Sequence, residues 1–239
     1  MKKLLILFFV SLNVFAQVTL NSSNLPIIII DTNGKPIPDE PKITASMKII
    51  DKGNGERNYV TDPANVYNGK IGIEIRGHSS QMFPKKQYGI ELRDEAGNDI
   101  SVSILGMPSE SDFVLNASYT DKSLLRNVIA YKLGNDLGRY ASRTKFCEVI
   151  INNQYMGIYI LQEKVKRDKN RVNIKKIATA DTTGDALTGG YILKIDRIDP
   201  GDKYFNSEYP SIFPNTPSKP SPISYIIEYP KAEDIQPAQ

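Results

Sequence analysis

Tryptophan is absent from the 239 residues, and cysteine and histidine occur once each, as Cys147 and His78. A single cysteine excludes an intramolecular disulfide and any zinc site built on cysteine. With one histidine, serine–histidine chemistry and histidine-ligated metals hang on His78 alone, so a general base here is expected to be a carboxylate. Cys147 lies in "TKFCEVII", where apolar and polar residues alternate, and is expected to be buried and inert rather than nucleophilic. Long apolar runs are also missing after the start of the chain. "IIII" at Ile27 to Ile30 has the length of a strand, not of a membrane span.

The start itself, "MKKLLILFFVSLNVFAQVTL", pairs Lys2 and Lys3 with a short apolar run from Leu4 to Val10. That is the pattern of a secretory signal cleaved near Ala16, too short for a spanning helix; a retained anchor is the alternative. The expected location is therefore secreted, periplasmic or on the cell surface. No cysteine follows the signal to carry a lipid. Removing 16 of the 239 residues leaves 223, enough for one sizeable core or two small lobes. Net charge falls from +3 to +1 once Lys2 and Lys3 are gone, so a nucleic-acid partner is not expected.

Alternation of apolar and polar residues predicts strands in "NLPIIIIDTNGK", "KITASMKII", "GKIGIEIRG", "QYGIELRDEAGND" and "SDFVLNASY". Asn33-Gly34 and Gly97-Asn98 mark turns. In "DKSLLRNVIAYKLGNDLG" the residues Leu124, Leu125, Val128, Ile129, Leu133 and Leu137 recur at helical spacing. Thr120 or Asp121 is placed to cap that helix and Gly138 to close it. "FCEVIINNQYMGIYILQEKV" reads as a hairpin turning at Asn152-Asn153-Gln154. "KVKRDKNRVNIKK" sets seven cations against one acid, Asp168, the composition of a solvated turn. Beyond Asp199 the chain is rich in proline and serine, which suits a surface loop, and "KAEDIQPAQ" offers no further strand. The expected class is α+β, an antiparallel sheet packed on a helix.

The chemistry concentrates in "IRGHSSQMFPKKQYGIEL". Pro84 cannot donate to a ladder and marks the start of a strand. Alternation carried back from Tyr88, Ile90 and Leu92 turns Lys86 inward, where a lone ammonium requires a counter-charge. A carboxylate would supply it; so would a phosphate, with the amides and hydroxyls of Gly77-His78-Ser79-Ser80 as an anion nest. The competing reading is an ordinary turn with snorkelling lysines.

"EIRGHSSQMFPKKQYGIEL", "LGMPSESDFVLNASYTDKSLLRNVIAYKLGNDLG…CEVIINNQYMGIYILQEKVKRDKNRVNI" and "GGYILKIDR" together resemble the CotH family, the spore-coat-protein-H-like secreted protein kinases. The resemblance runs from about Asn24 to Arg197. It implies a fold similar to a protein kinase, with residues 17–199 as a strand-rich N-terminal lobe and hinge. Residues 200–239 would then be a Pro/Ser-rich loop and the start of a C-terminal lobe otherwise missing. By the same likeness Lys86 would hold nucleotide phosphates, helped by Lys85 and Arg76, and the backbone near Gln162 and Glu163 would meet adenine. The helix opening at Asp121 would stand where kinases keep their regulatory helix. ATP and Mg2+ are the implied cofactors, with serine or threonine of a protein at the envelope as acceptor.

One departure qualifies that picture. The family's metal-binding and proton-accepting acids lie in an N-x-D…N segment and a later W-D-x-D segment, and neither is found here. The catalytic acids are therefore expected beyond Gln239, making this chain an N-terminal portion, inert alone. Asp168 in "RDKN" and Asp196 in "KIDR" are weak stand-ins beside a structural ion-pair role. The alternative from another class is a non-catalytic surface binding module. A carbohydrate-binding or hydrolysing protein needs aromatic platforms or a pair of carboxylates at set separation; tyrosines are plentiful at 13, but no acid pair stands out.

Overall fold

The computed structural model describes residues 19–210 and 222–237; the signal expected at residues 1–16 lies outside them. In chain order the strands are β1 (Ser22–Ser23), β2 (Ile27–Asp31), β3 (Ile43–Ile50), β4 (Asn58–Tyr59), β5 (Tyr67–Arg76), β6 (Gln87–Arg93), β7 (Val102–Ile104), β8 (Met107–Glu110) and β9 (Asp112–Asn116). Helix α1 (Arg126–Asp136) follows, then β10 (Thr144–Ile151), β11 (Gln154–Glu163), a short α2 (Gly184–Leu187), β12 (Ile192–Lys194), β13 (Tyr204–Pro210) and β14 (Pro222–Tyr229). The chain divides into two compact units. The first runs to Lys122 and adds Lys145–Leu161; the second comprises Ser123–Thr144 and the residues from Gln162 onward.

The first unit is a closed barrel in the order β10-β11-β9-β6-β5-β3-β2. β2, β3, β5, β6 and β9 pair antiparallel in turn. Closure comes from a parallel pairing of β2 with β10, with Ile27 to Ile30 facing Glu148 to Ile151. Side chains alternate across each strand, so Ile28, Ile30, Met47, Ile71, Ile90, Phe113, Val149 and Leu161 meet inside as one core. A smaller apolar cluster, Ile27, Ile50 and Ile150, packs outside the barrel with Leu20, Val60 and Tyr155.

The expected α+β class, a sheet packed on a helix like a kinase N-terminal lobe, is overturned. Strand far outweighs helix among the described residues, where α1 and α2 are the only α-helices. A sheet closed on itself buries its inner face without a helix, and α1 buries none of its residues. Helix α1 also starts later than capping at Thr120 or Asp121 implied. Leu124 is left-handed at φ 58°, which a right-handed helix cannot include. Its far end follows expectation: Gly138 turns at φ 74° and Arg139 N–H donates to Gly134 C=O at 3.0 Å.

The chain beyond Asp199 also holds more structure than its composition implied. β13 and β14 pair antiparallel, β12 joins β14's other side, and Phe205 stacks on Tyr225 with centroids 5.4 Å apart. The densest Pro/Ser segment, 211–221, lies outside the described residues. The alternating runs on either side, "YFNSEY" and "ISYIIEY", form the strands.

Two outcomes test this core. Ile28 is fully buried on the strand that closes the barrel, and Ile28→Ala is expected to cost about 3 kcal/mol in urea unfolding. Cys147 is fully buried, and burial first of all pushes its thiol up to about 12. A thiol reagent is expected to label it no faster than the barrel unfolds, as monitored by mass spectrometry across a denaturant series.

Candidate functional site

Between β5 and β6 the chain makes a tight excursion. Gly77 sits at φ 98°, and a Cβ there would fall 2.1 Å from Ser80 Oγ, so only glycine fits. A 3-10 turn over Ser79–Met82 follows, tied down by Gln81, whose amide nitrogen donates to Asp39 Oδ1 at 2.7 Å and also to Gly77 C=O. Phe83 stacks on Tyr119 with ring centroids 5.0 Å apart. Pro84, Lys85 and Lys86 then lead into β6 at Gln87.

Tyr88, Ile90 and Leu92 are buried as alternation demands. Lys86, however, precedes the strand, so the alternation does not reach it. Its ammonium donates to Gln81 C=O, within the turn it follows. It is Lys85 whose ammonium reaches the barrel wall, donating to Ile158 C=O of β11 and lying 4.3 Å from the Tyr159 ring centroid. Gly157 lies beside that approach; its φ of 86° is what calls for glycine, since a Cβ there would make only ordinary van der Waals contact with Lys85 Nζ at 3.8 Å. Burial holds the Lys85 ammonium below the ordinary lysine value, offset in part by Cys147 and Glu148. Among the described residues no carboxylate touches it. The Glu148 carboxylate instead accepts Ser23 Oγ at 2.9 Å and the Tyr155 hydroxyl at 2.6 Å. Tyr159 completes the arrangement by donating its hydroxyl to Lys86 C=O at 3.0 Å.

Arg76 ends β5 directly opposite Gln87, and its side chain is exposed. Arg76, Lys85 and Lys86 are therefore gathered where β5 and β6 meet the turn. Gln162 and Glu163 close β11 four and five residues beyond Ile158, and both are buried. The Glu163 carboxylate, wholly buried, takes Arg143 Nη1 at 2.7 Å and the Arg143 amide at 3.0 Å, with Arg171 Nε at 3.8 Å. The Glu163 amide in turn donates to Arg143 C=O at 3.2 Å.

This cluster corrects the reading of the basic stretch as wholly solvated, since Arg171 is only 3% exposed. Nothing in "KVKRDKNRVNIKK" singled Arg171 out from its neighbours; only the depth of Glu163 does. Asp168 accepts the Asn170 amide at 2.7 Å and closes a turn, while Asp196 is exposed and accepts the Arg197 amide at 2.8 Å. Among the described residues no group of three or more His, Cys, Asp or Glu side chains could hold a metal ion.

Tyr159 and Ile158 were also missed as contributors, although both lie in the quoted "NNQYMGIYIL". Their value comes from meeting Lys85 in space, Ile158 being 73 residues away in sequence, which no local pattern reveals. For the Glu163 cluster, Glu163→Gln is expected to lower stability by about 3 kcal/mol, because Arg171 would keep a buried charge without its carboxylate. Chemical denaturation of the two proteins side by side checks this.

No curated protein matches the chain. The profile of the family described as CotH kinase protein matches residues 73–232, from the middle of β5 to just past β14. That span takes in the glycine turn, both lysines and the β10–β11 hairpin, and it covers more than half of the sequence. The chain belongs to the CotH family.

Proposed function

We propose that the chain carries the nucleotide-phosphate-binding part of a secreted phosphotransferase, with Lys85 meeting the phosphates and Arg76 and Lys86 assisting. The observation that carries this reading is the state of the Lys85 ammonium. It is half-buried, held by one carbonyl and one ring face, with no carboxylate in contact among the described residues. A cation kept that way gains more from an arriving anion than a solvated or ion-paired lysine would. Lys86 and Arg76 add donors beside it. Phosphoryl transfer asks the protein mainly to position phosphates and neutralise charge, which three cations on a fixed turn are suited to do.

ATP is the proposed donor and a protein hydroxyl at the envelope the proposed acceptor, in keeping with family membership and the signal-like start. Magnesium would arrive with the nucleotide. Among the described residues no group of three or more carboxylate, histidine or cysteine side chains is gathered to hold it. The adenine contact first expected at Gln162 and Glu163 is not part of the proposal: the Glu163 amide and carboxylate are already committed to Arg143. Asp168 and Asp196 are given no catalytic role.

Calorimetric titration with Mg-ATP tests the reading. Lys85→Met is expected to weaken binding at least tenfold, the effect of losing a charged hydrogen bond, with Lys86→Met weakening it less. Only the protonated amine attracts phosphate, so affinity should be highest below the depressed Lys85 value. It should fall as pH rises through the depressed Lys85 value, earlier than for an ordinary lysine near 10.4, and this alkaline fall should vanish in Lys85→Met. A correctly folded chain that ignores Mg-ATP, or binds it equally well without Lys85, would sink the proposal and favour a non-catalytic binding module.

A further inference from the structure

A cleft of about 630 Å³ opens on the outer surface of the barrel across β2, β3 and β5. Its floor is aliphatic, from Ile29, Ile50 and Val60. One wall is the loop after β4 and the other is the Asn152-Asn153 turn. Both walls are fixed. Asp62 pairs with Lys52 at 2.7 Å and accepts the Tyr59 amide at 2.8 Å, and the fully buried Asn58 bonds Lys52 N–H and Leu25 C=O. Across the cleft, Asn152 is locked to Thr32 by two hydrogen bonds of 2.9 Å. The shape is thus present before any ligand arrives, which removes the cost of ordering it.

The groups facing this cleft are chemically unspent. Ser46, Lys48, Thr61, Asn68 and Asn153 line it, and their side chains make no hydrogen bond or ion pair among the described residues. Asp31 contributes a carboxylate with one oxygen committed to the Asn33 amide. Cross-strand register sets Ile29, Lys48 and Asn68 in one row and Asp31 beside Ser46 in the next.

These groups select a ligand class. Two amides and two hydroxyls each donate and accept, one ammonium only donates, and one carboxylate only accepts. A phosphate would use donors alone and be repelled by Asp31. A metal cation or amine would find Asp31 but face Lys48. An extended peptide would seek an open strand edge, and closure of β2 on β10 leaves none here. Vicinal hydroxyls, which donate and accept at every position, fit the whole set. The aliphatic floor offers the C–H face of a sugar ring dispersion contact, chiefly from Ile29 and Val60. We infer that this cleft is a saccharide-binding site, separate from the Lys85 turn and sized for a short neutral oligosaccharide.

The test titrates maltotriose, cellotriose and tri-N-acetylchitotriose into the isotope-labelled chain while amide shifts are recorded. At least one is expected to move Ser46, Lys48, Asn68 and Asn153 together. The double variant Asn68→Ala, Lys48→Ala is expected to weaken that sugar about tenfold. Both positions are exposed, so an unchanged melting curve would confirm an intact fold. Lys85→Met should leave sugar binding untouched, so this inference and the nucleotide reading fail independently. Shifts at the cleft from none of the three sugars, binding that survives the double variant, or a response there to a neutral or acidic peptide instead would overturn the assignment.

Discussion

Parallel pairing of β2 with β10 is the constraint on which the first unit depends. Four isoleucines in a row at Ile27 to Ile30 face four residues of β10 in register. That pairing turns an open antiparallel sheet into a closed one. An open sheet needs a second layer to bury its apolar face, whereas a barrel needs only its own interior. Because Ile28 and Ile30 point inward while Ile27 packs outside with Ile50 and Ile150, the one strand serves both apolar clusters. In the same barrel β11 and β6 lie with β9 between them, and that neighbourhood brings Ile158 and Tyr159 to Lys85.

Charges treated differently by this scaffold divide into structural and available ones. Glu163 is wholly buried but satisfied by Arg143 and approached by Arg171, so its role is to hold its own segment together. On the outer face of β5 and β6, Lys42 bridges Glu74 and Glu91, and Arg93 returns to Glu91 at 2.7 Å. Gly72 makes room for that arginine, since a Cβ would fall 2.5 Å from its guanidinium carbon. Such part-exposed pairs contribute little each, yet they spend their charge on one another. Lys85 has neither arrangement. Its partners are a carbonyl and an aromatic face, which orient an ammonium without neutralising it.

Much of this was legible in local pattern. The inward faces of β5, β6, β10 and β11 follow from alternation, the Asn152-Asn153 turn from its residues, and the burial of Cys147 from its alternating segment. The choice between Lys85 and Lys86 was not legible, because it depends on where the strand begins. Starting at Gln87 rather than at Pro84 frees the two lysines from alternation and lets the backbone decide. The expected helix was present, yet Leu124's left-handed backbone moved its start and its apolar stripe did not supply the core. Helical spacing states that a stripe exists, not what covers it.

The sequence alone determined the family, the strand-rich character of the chain, and the stretch between Arg76 and Gln87 as its chemically unusual turn. Those follow from residue order at short range, where alternation and turn chemistry act. Only tertiary structure decided that the sheet closes into a barrel, that Lys85 is the ammonium drawn from water, and that Glu163 anchors Arg143 and Arg171. Each joins residues that local pattern does not connect: Ile28 with Val149, Lys85 with Tyr159, and Arg143 with Glu163. The energy of each comes from removing groups from water together, which no single segment can do.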